Sequence, residues 1–430
     1  MTALQASILN LSHDGRGVAR ENGKAVFIEG ALPGEEVSYR LLKSHKRYDE
    51  GEMVSLLQPS HVRVSPPCPY VESCGGCTLQ HVTHSAQIEY KEALFWETLK
   101  RIGGVEPRVR LPALIGPAYG YRHRARLHVR VIKNKVLLGF KAKGTEAVVA
   151  IGQCLVLEPA LSSYIAPLQQ LLQTFSKPAV VHEISIAIGQ GGFIGVLFHL
   201  KEPLMAKDSV LLVEFSEAHA LNMYVEYHSK RRPLSEIHPG PLYYPFKTQN
   251  PKLMFSLGDF TQINPRQNEA MLAASVEMMN LSSQDVVGDL FCGLGNFALW
   301  MAPYVQQVVG AEVSSDMVRA ARDNALENNR SNVTFEKIDF DAPEAIQHFL
   351  RQYSCNKLVI DPPRKGAQAL VDALSSADLD GVLYISCHPG TLARDAKVLT
   401  QEHGFTLQSS RVIDMFPQTA HIEAMAWFTR

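Results

Sequence analysis

The chain has 430 residues, 46% hydrophobic and 20% charged, with a net charge of −1. That balance suits a globular protein of about three domains with large cores, and by itself predicts no anionic partner. Met1-Thr2-Ala3-Leu4-Gln5 carries no basic segment leading into an apolar one, and no run of about 18 apolar residues occurs, so neither a signal peptide nor a membrane span is expected and the location expected is cytoplasmic.

Residues 1 to about 58 read as short strands: Ser7-Ile8-Leu9, Gly17-Val18-Ala19, Ala25–Ile28, Glu36–Arg40 and Met53–Leu56. Turn signals such as His13-Asp14-Gly15 and Glu21-Asn22-Gly23 separate them, and this spacing predicts a small β-barrel. Lys43, Lys46, Arg47 and Tyr48 make a basic loop with an aromatic. Ser65-Pro66-Pro67 marks a boundary. Cys68, Cys74 and Cys77 follow within ten residues, and Cys154 is available as a fourth thiol from a later strand. Four thiolates suit tetrahedral zinc or an iron–sulfur cluster equally. The absence of a secretory pattern argues against disulfides.

A helix is expected over residues 85–101, capped by Ser85, with Ile88, Leu94, Phe95 and Leu99 as its apolar stripe. Between Lys100 and Gly144 stand twelve Lys or Arg and one acid, Glu106. Arg122, Arg124, Arg126 and Arg130 alternate with apolar residues, so a strand would project them from one face as a phosphate-attracting stripe. A solvated strand face is the competing reading. Residues from about 120 to 255 are mostly β in pattern.

From Gln262 onward strands alternate with helices: Val286–Leu290, Val308–Ala311, Val333–Phe335, Leu358–Ile360 and Val382–Ile385. That alternation predicts an α/β, doubly wound, largely parallel sheet. After the first strand, Cys292-Gly293-Leu294-Gly295-Asn296 forms a glycine turn that opens a helix. Glu312 ends the second strand, 19 residues after Gly293, where an acid can accept from two ribose hydroxyls. A dinucleotide would also fit this turn.

The fourth strand ends in Asp361-Pro362-Pro363-Arg364 and the fifth in Ser386-Cys387-His388-Pro389. Asp361-Pro362-Pro363 resembles the substrate loop of S-adenosylmethionine-dependent methyltransferases that act on nucleic acid. Arg364 replaces the aromatic usual in those that methylate amino groups. Pyrimidine C5 accepts a methyl group once a thiolate has added to C6, and a carboxylate must then remove the C5 proton. Cys387 supplies the thiol and Glu423 the best-placed carboxylate. Asp414 reads as structural, and His421 as either base or structural group.

Phe260-Thr261-Gln262-Ile263-Asn264, Asp289–Asn296, Asp361–Gly366, Ser386–Pro389 and His421-Ile422-Glu423 together resemble the RNA uracil-C5-methyltransferase family, across the C-terminal half and in order. The resemblance implies Cys387 as nucleophile and Glu423 as base. It also implies S-adenosyl-L-methionine contacts from Gln262, Phe291, Asn296, Glu312, Asp339 and Asp361, with Asp339 placed by spacing alone. His388 departs from the Asn common at that position. The cysteines resemble the [4Fe-4S] site of one branch, which implies Cys68, Cys74, Cys77 and Cys154 as ligands. The N-terminal strands resemble the TRAM domain, an RNA-positioning barrel.

The expected organisation is a TRAM-like barrel over 1–60, a central mainly β domain carrying the cluster over 61–260 and a Rossmann-like methyltransferase domain over 261–430. Its helical segment at about 85–115 is expected to pack on the catalytic domain. The expected partner is 23S ribosomal RNA, with no DNA or membrane, and the expected state is a monomer. Another ribosomal site or transfer RNA is the alternative substrate. A non-catalytic RNA-binding protein and a nicotinamide-linked oxidoreductase are the alternative classes.

Overall fold

The computed structural model describes residues 4–235, 241–248 and 250–430. Three large β-sheets and a two-stranded one, Leu242–Tyr243 with Met254–Phe255, organise these residues, and the candidate cleft lies between the N-terminal sheet and the eight-stranded one.

The N-terminal sheet has six strands, Leu4–Ser7, Asn10–Leu11, Gly17–Glu21, Lys24–Glu29, Glu36–Ser44 and Tyr48–Gln58. Of the expected strand Ser7-Ile8-Leu9, Ser7 ends the first strand, and Ile8 and Leu9 form a corner between the first two. Ile8 N–H donates to Glu35 and Leu9 N–H to Val18, so the chain leaves one partner strand here and joins another. Alternating Ala6, Ile8, Ala19, Val26, Ile28, Val37 and Tyr39 fill the interior.

The central sheet has seven strands in the order 148–150, 135–141, 124–132, 181–188, 194–200, 222–227, 230–235. Helices Ile165–Gln173 and Ala206–His219 cover one face, burying Leu168, Leu172 and Leu212 against Leu127, Ile184 and Phe198. Along Arg124–Ile132 the arginines alternate with buried apolar residues. Two of them are held by neighbours. Arg124 donates to the Asp259 carbonyl and Thr261 hydroxyl, and Arg126 pairs with Glu183 at 3.0 Å. Arg122 and Arg126 line a cavity shared with the cysteines.

The catalytic sheet has eight strands. Five parallel strands, Val286–Leu290, Gln307–Glu312, Val333–Lys337, Lys357–Ile360 and Gly381–Ser386, stand in the order third, second, first, fourth, fifth. Glu423–Thr429 then pairs antiparallel with the fifth, Thr406–Ile413 lies beyond it, and Val109–Arg110 forms the edge. Central strands run nearly continuously apolar because helices cover both faces.

The helix His84–Thr98 continues as a π turn, Leu99–Gly103. Ser85 is not its cap: the helix begins one residue earlier, and Thr83 supplies the first carbonyl, accepting from Gln87 N–H. Phe95 and Leu99 are fully buried in one core with Leu392, Ala396 and Phe428 of the catalytic domain. Among the described residues no helix is long and apolar enough to cross a membrane.

Candidate active site

Three loops meet at the carboxyl edge of the catalytic sheet, where α/β folds bind ligands. Ser386 pairs with Ala424 and Ile385 with Met425 across the fifth strand and Glu423–Thr429. One step further along that antiparallel register stand Cys387 and Glu423. Asp361 follows the neighbouring fourth strand, whose Ile360 pairs with Tyr384. The nucleophile and base candidates therefore share one edge, beside the Asp361–Arg364 loop.

Buried hydrogen bonds fix this arrangement. Asp395, fully buried on the helix after Cys387, accepts from Tyr384 at 2.7 Å, Ala367 N–H at 2.9 Å and Arg394 Nε at 2.8 Å. It thus joins the fifth strand, the Asp361–Gly366 loop and the helix Pro389–Gln401. His388 caps that helix: its Nδ1 accepts from Thr391 N–H at 3.2 Å. An imidazole nitrogen here does what an Asn side-chain oxygen does at an N-cap, which explains how the loop tolerates the departure from Asn.

The electrostatics are those of crowded acids. Burial, then Glu423 and Asp361, push the Cys387 thiol up to about 11, with Arg364 opposing. Glu423 is 3% exposed. Burial and Asp361 raise it well above the usual carboxylate range, while Arg364 acts the other way. Burial also raises Asp361. A carboxylate made more basic in this way is suited to proton abstraction near neutral pH.

Cys387 opens into a cleft of about 870 Å³. Arg364, His388 and His421 line it with Cys387. Its far walls come from Asn10–Asp14 and Phe27 of the barrel, Gly75, Gly76 and Thr78 of the cysteine loop, and Leu94–Ile102. Arg364 donates to His421 Nδ1 at 3.2 Å.

The glycine turn lies on the other side of the Asp361 loop. Phe291 and Gly295 have left-handed backbones, φ 65° and 88°, and a Cβ at Gly293 would meet no atom within 4 Å. The turn therefore presents bare backbone to open space. Glu312 accepts from Gly293, Val313 and Ser314 N–H groups, which orients its carboxylate over that turn. Asn296 and Asn268 exchange two side-chain hydrogen bonds of 2.9 Å, linking the turn to the helix that follows Gln262. Asp289 Oδ2 accepts from Ala298 N–H, while its buried Oδ1 has no partner. Burial, against that bond but with Asp361 and Glu312, pushes the Asp289 carboxyl up to about 8. Asp339 is exposed and its Oδ1 accepts from Asp341 N–H.

Two features escaped the sequence reading. Phe340, next to Asp339, stacks on Phe291 with ring centres 4.0 Å apart. The helix His84–Thr98 also clamps the loop that precedes Glu423. Lys91 and His84 donate to or pair with Asp414, both at 2.7 Å, and Gln87 exchanges two hydrogen bonds with Gln418. The spacing of His84, Gln87 and Lys91 by three and four residues, one polar face on an otherwise packed helix, was the available signal. Asp414 is structural, as its sequence context suggested.

Cys68, Cys74, Cys77 and Cys154 are free thiols that line one cavity of about 100 Å³. Tyr70 folds the loop over it: its carbonyl accepts from Cys74 N–H and its hydroxyl from Gly152 N–H. Among the described residues, no group of three or more His, Cys, Asp or Glu is arranged to hold a metal ion.

A sheet in this order, with a glycine turn after the first strand and an acid after the second, defines the fold class of S-adenosylmethionine-dependent methyltransferases. Residues 247–430 match the tRNA (Uracil-5-)-methyltransferase family model and residues 3–54 the TRAM domain. A protein of Legionella pneumophila, 23S rRNA (uracil(1939)-C(5))-methyltransferase RlmD, is 36% identical over all of this chain and 98% of its own. Its namesake in Xanthomonas campestris is 38% identical over 100% and 98%. The solved Pyrococcus abyssi tRNA (uracil-54, C5)-methyltransferase with S-adenosyl-L-homocysteine shares the fold, with a TM-score of 0.74 over 99% of both chains at 21% identity. The chain belongs to the RNA uracil-C5-methyltransferase family.

Proposed function

We propose that this chain transfers the methyl group of S-adenosyl-L-methionine to C5 of one uridine in 23S ribosomal RNA. The carrying observation is the register, Ser386 on Ala424, that brings Cys387 and Glu423, the next residues on each strand, to one edge of the sheet beside a cleft walled by the N-terminal barrel. Full-length relatives that bear the 23S activity in their names support the choice of substrate.

The Cys387 thiolate adds to C6 of the flipped-out uracil, and the C5–C6 electron pair moves towards C5 and O4. Bound S-adenosyl-L-methionine supplies the electrophilic methyl group that C5 takes. Glu423 then removes the C5 proton, the C5–C6 double bond re-forms and the thiolate leaves. Arg364, within electrostatic reach of Cys387, favours the thiolate. Gln262, Phe291, Asn296, Glu312, Asp339 and Asp361 are the proposed cofactor contacts. The open backbone at Gly293 and the partnerless Asp289 oxygen fit a polar ligand there.

Cys68, Cys74, Cys77 and Cys154 are the proposed ligands of a [4Fe-4S] cluster. The cavity they line contains Arg122 and Arg126 and no acid, which suits the negative charge of four thiolates. A cluster there staples the loop Cys68–Cys77 to the strand region at Cys154. The protein is proposed to act as a cytoplasmic monomer without DNA.

Incubation with methyl-labelled cofactor and a mixture of unmodified 23S transcript and unmodified transfer RNA tests this function. Label in one uridine is the expected result. Label appearing in transfer RNA and not in 23S RNA would overturn the substrate.

A further inference from the structure

We propose that His421 is a substrate-reading residue, whose Nε2–H donates a hydrogen bond to uracil O4 and steadies the charge that forms there when Cys387 adds to C6. The inference rests on the proposed uracil-C5 chemistry and extends it to a residue with no assigned part.

The tautomer is fixed by a neighbour. Arg364 Nη2 lies 3.2 Å from His421 Nδ1. A guanidinium has only donors, so Nδ1 must be the acceptor. In the neutral ring the proton then sits on Nε2. Burial and the adjacent Arg364, Lys91 and Arg122 hold the imidazole pKa below its ordinary value, in keeping with a neutral ring.

Among the described residues the donor has no protein partner. Nδ1 is the only ring nitrogen of His421 that makes a hydrogen bond among the described residues. Nε2 is not buried among unsatisfied atoms either. The ring packs edge-on against Phe416, centres 5.7 Å apart, so its plane is set, and His421 lines the cleft with Cys387 and Arg364. A positioned, exposed N–H that lines the cleft of the nucleophile is a donor open to substrate.

The choice of carbonyl follows from the proposed role of Glu423. Glu423 serves C5, and O4 is borne by the ring carbon next to C5. His421 stands two residues before Glu423 and is held by Arg364. Thiolate addition forms the S–C6 bond and places the displaced pair on the C5–C4–O4 enolate, with no proton transferred. Donors aimed at developing oxyanions act most strongly where charge appears. Cytosine carries an amino group at that position and cannot accept, so the same contact favours uracil.

Three variants test this in one assay on unmodified 23S transcript, with a 5-fluorouridine transcript to report the covalent adduct. Asn places its amide near the Nδ1 position of His and Gln near Nε2. H421A is expected to slow adduct formation about a hundredfold, with cofactor affinity unchanged. H421Q is expected to recover most of the rate, and H421N little. Recovery by H421N and not H421Q would reduce His421 to a support for Arg364, and an unaffected H421A would remove its role. Both results leave wild-type methylation standing. Absence of wild-type methylation would instead strike the functional reading beneath it.

Discussion

Lys91 Nζ lies 2.7 Å from Asp414 Oδ1, an ion pair in which Lys91 is 2% exposed and Asp414 fully buried. It ties the helix His84–Thr98 to the loop that leads to Glu423, and the same ammonium donates to the Phe416 carbonyl at 3.1 Å.

Removing one partner leaves a buried charge uncompensated. Lys91→Met is expected to destabilise the fold by about 3–5 kcal/mol, read by urea unfolding. Burial opposes ionisation of Asp414, but the His84 and Lys91 bonds outweigh it and hold its pKa below 3.8. A depressed carboxylate contributes stability above its unfolded pKa and loses it as pH falls through the folded one. The wild type should therefore lose this part of its stability only below about pH 4, and K91M, which keeps the His84 bond, should show that acid dependence reduced.

Cys387→Ala is expected to abolish both adduct and product. Glu423→Gln should add but fail to eliminate, so a covalent RNA–protein species accumulates and shifts on a denaturing gel. Turnover by C387A, or no shifted species with E423Q, would contradict the assigned roles.

With its thiol pushed up to about 11, free Cys387 is mostly protonated at neutral pH. Its alkylation by iodoacetamide, followed on the Cys387 peptide by mass spectrometry, should rise about tenfold per pH unit from roughly pH 7 to 10. A plateau below pH 8 would mean a thiolate already formed in the free enzyme.

Glu312 is held over the glycine turn by three backbone N–H groups. Glu312→Gln is expected to raise the S-adenosyl-L-methionine Kd about tenfold, the equivalent of about 1.4 kcal/mol for one charged hydrogen bond. Calorimetry measures it, and an unchanged Kd would place the ribose elsewhere. Phe340→Ala should weaken binding too, by removing the ring that stacks on Phe291.

The cysteine cavity predicts a brown protein when purified without oxygen, with iron and sulfide in equal amounts. Cys154→Ser should lose both. A colourless protein holding one zinc would replace the cluster with a single ion.

The parallel strands and the Cys387 and Glu423 motifs were legible because their information is local: apolar runs end in Gly, Pro or Asp turns, and the chemistry sits in those turns. The Phe291–Phe340 stack and the Lys91–Asp414 pair were not, because each joins segments that no periodicity connects. Ile8 and Leu9 misled because apolar residues at a barrel corner look like a strand centre. The arginine run from Arg122 to Arg130 alternates as read, yet Arg126 pairs with Glu183 and Arg124 is held by the Asp259 carbonyl. A single-strand pattern does not reveal what the neighbouring strand carries.

The most direct measurement is nucleotide-resolution mapping of 5-methyluridine in RNA from cells with and without this chain. One 23S ribosomal uridine should lose its methyl group when the chain is absent and regain it with the wild type but not with C387A. An unchanged 23S pattern, with the loss falling on transfer RNA, would contradict the account.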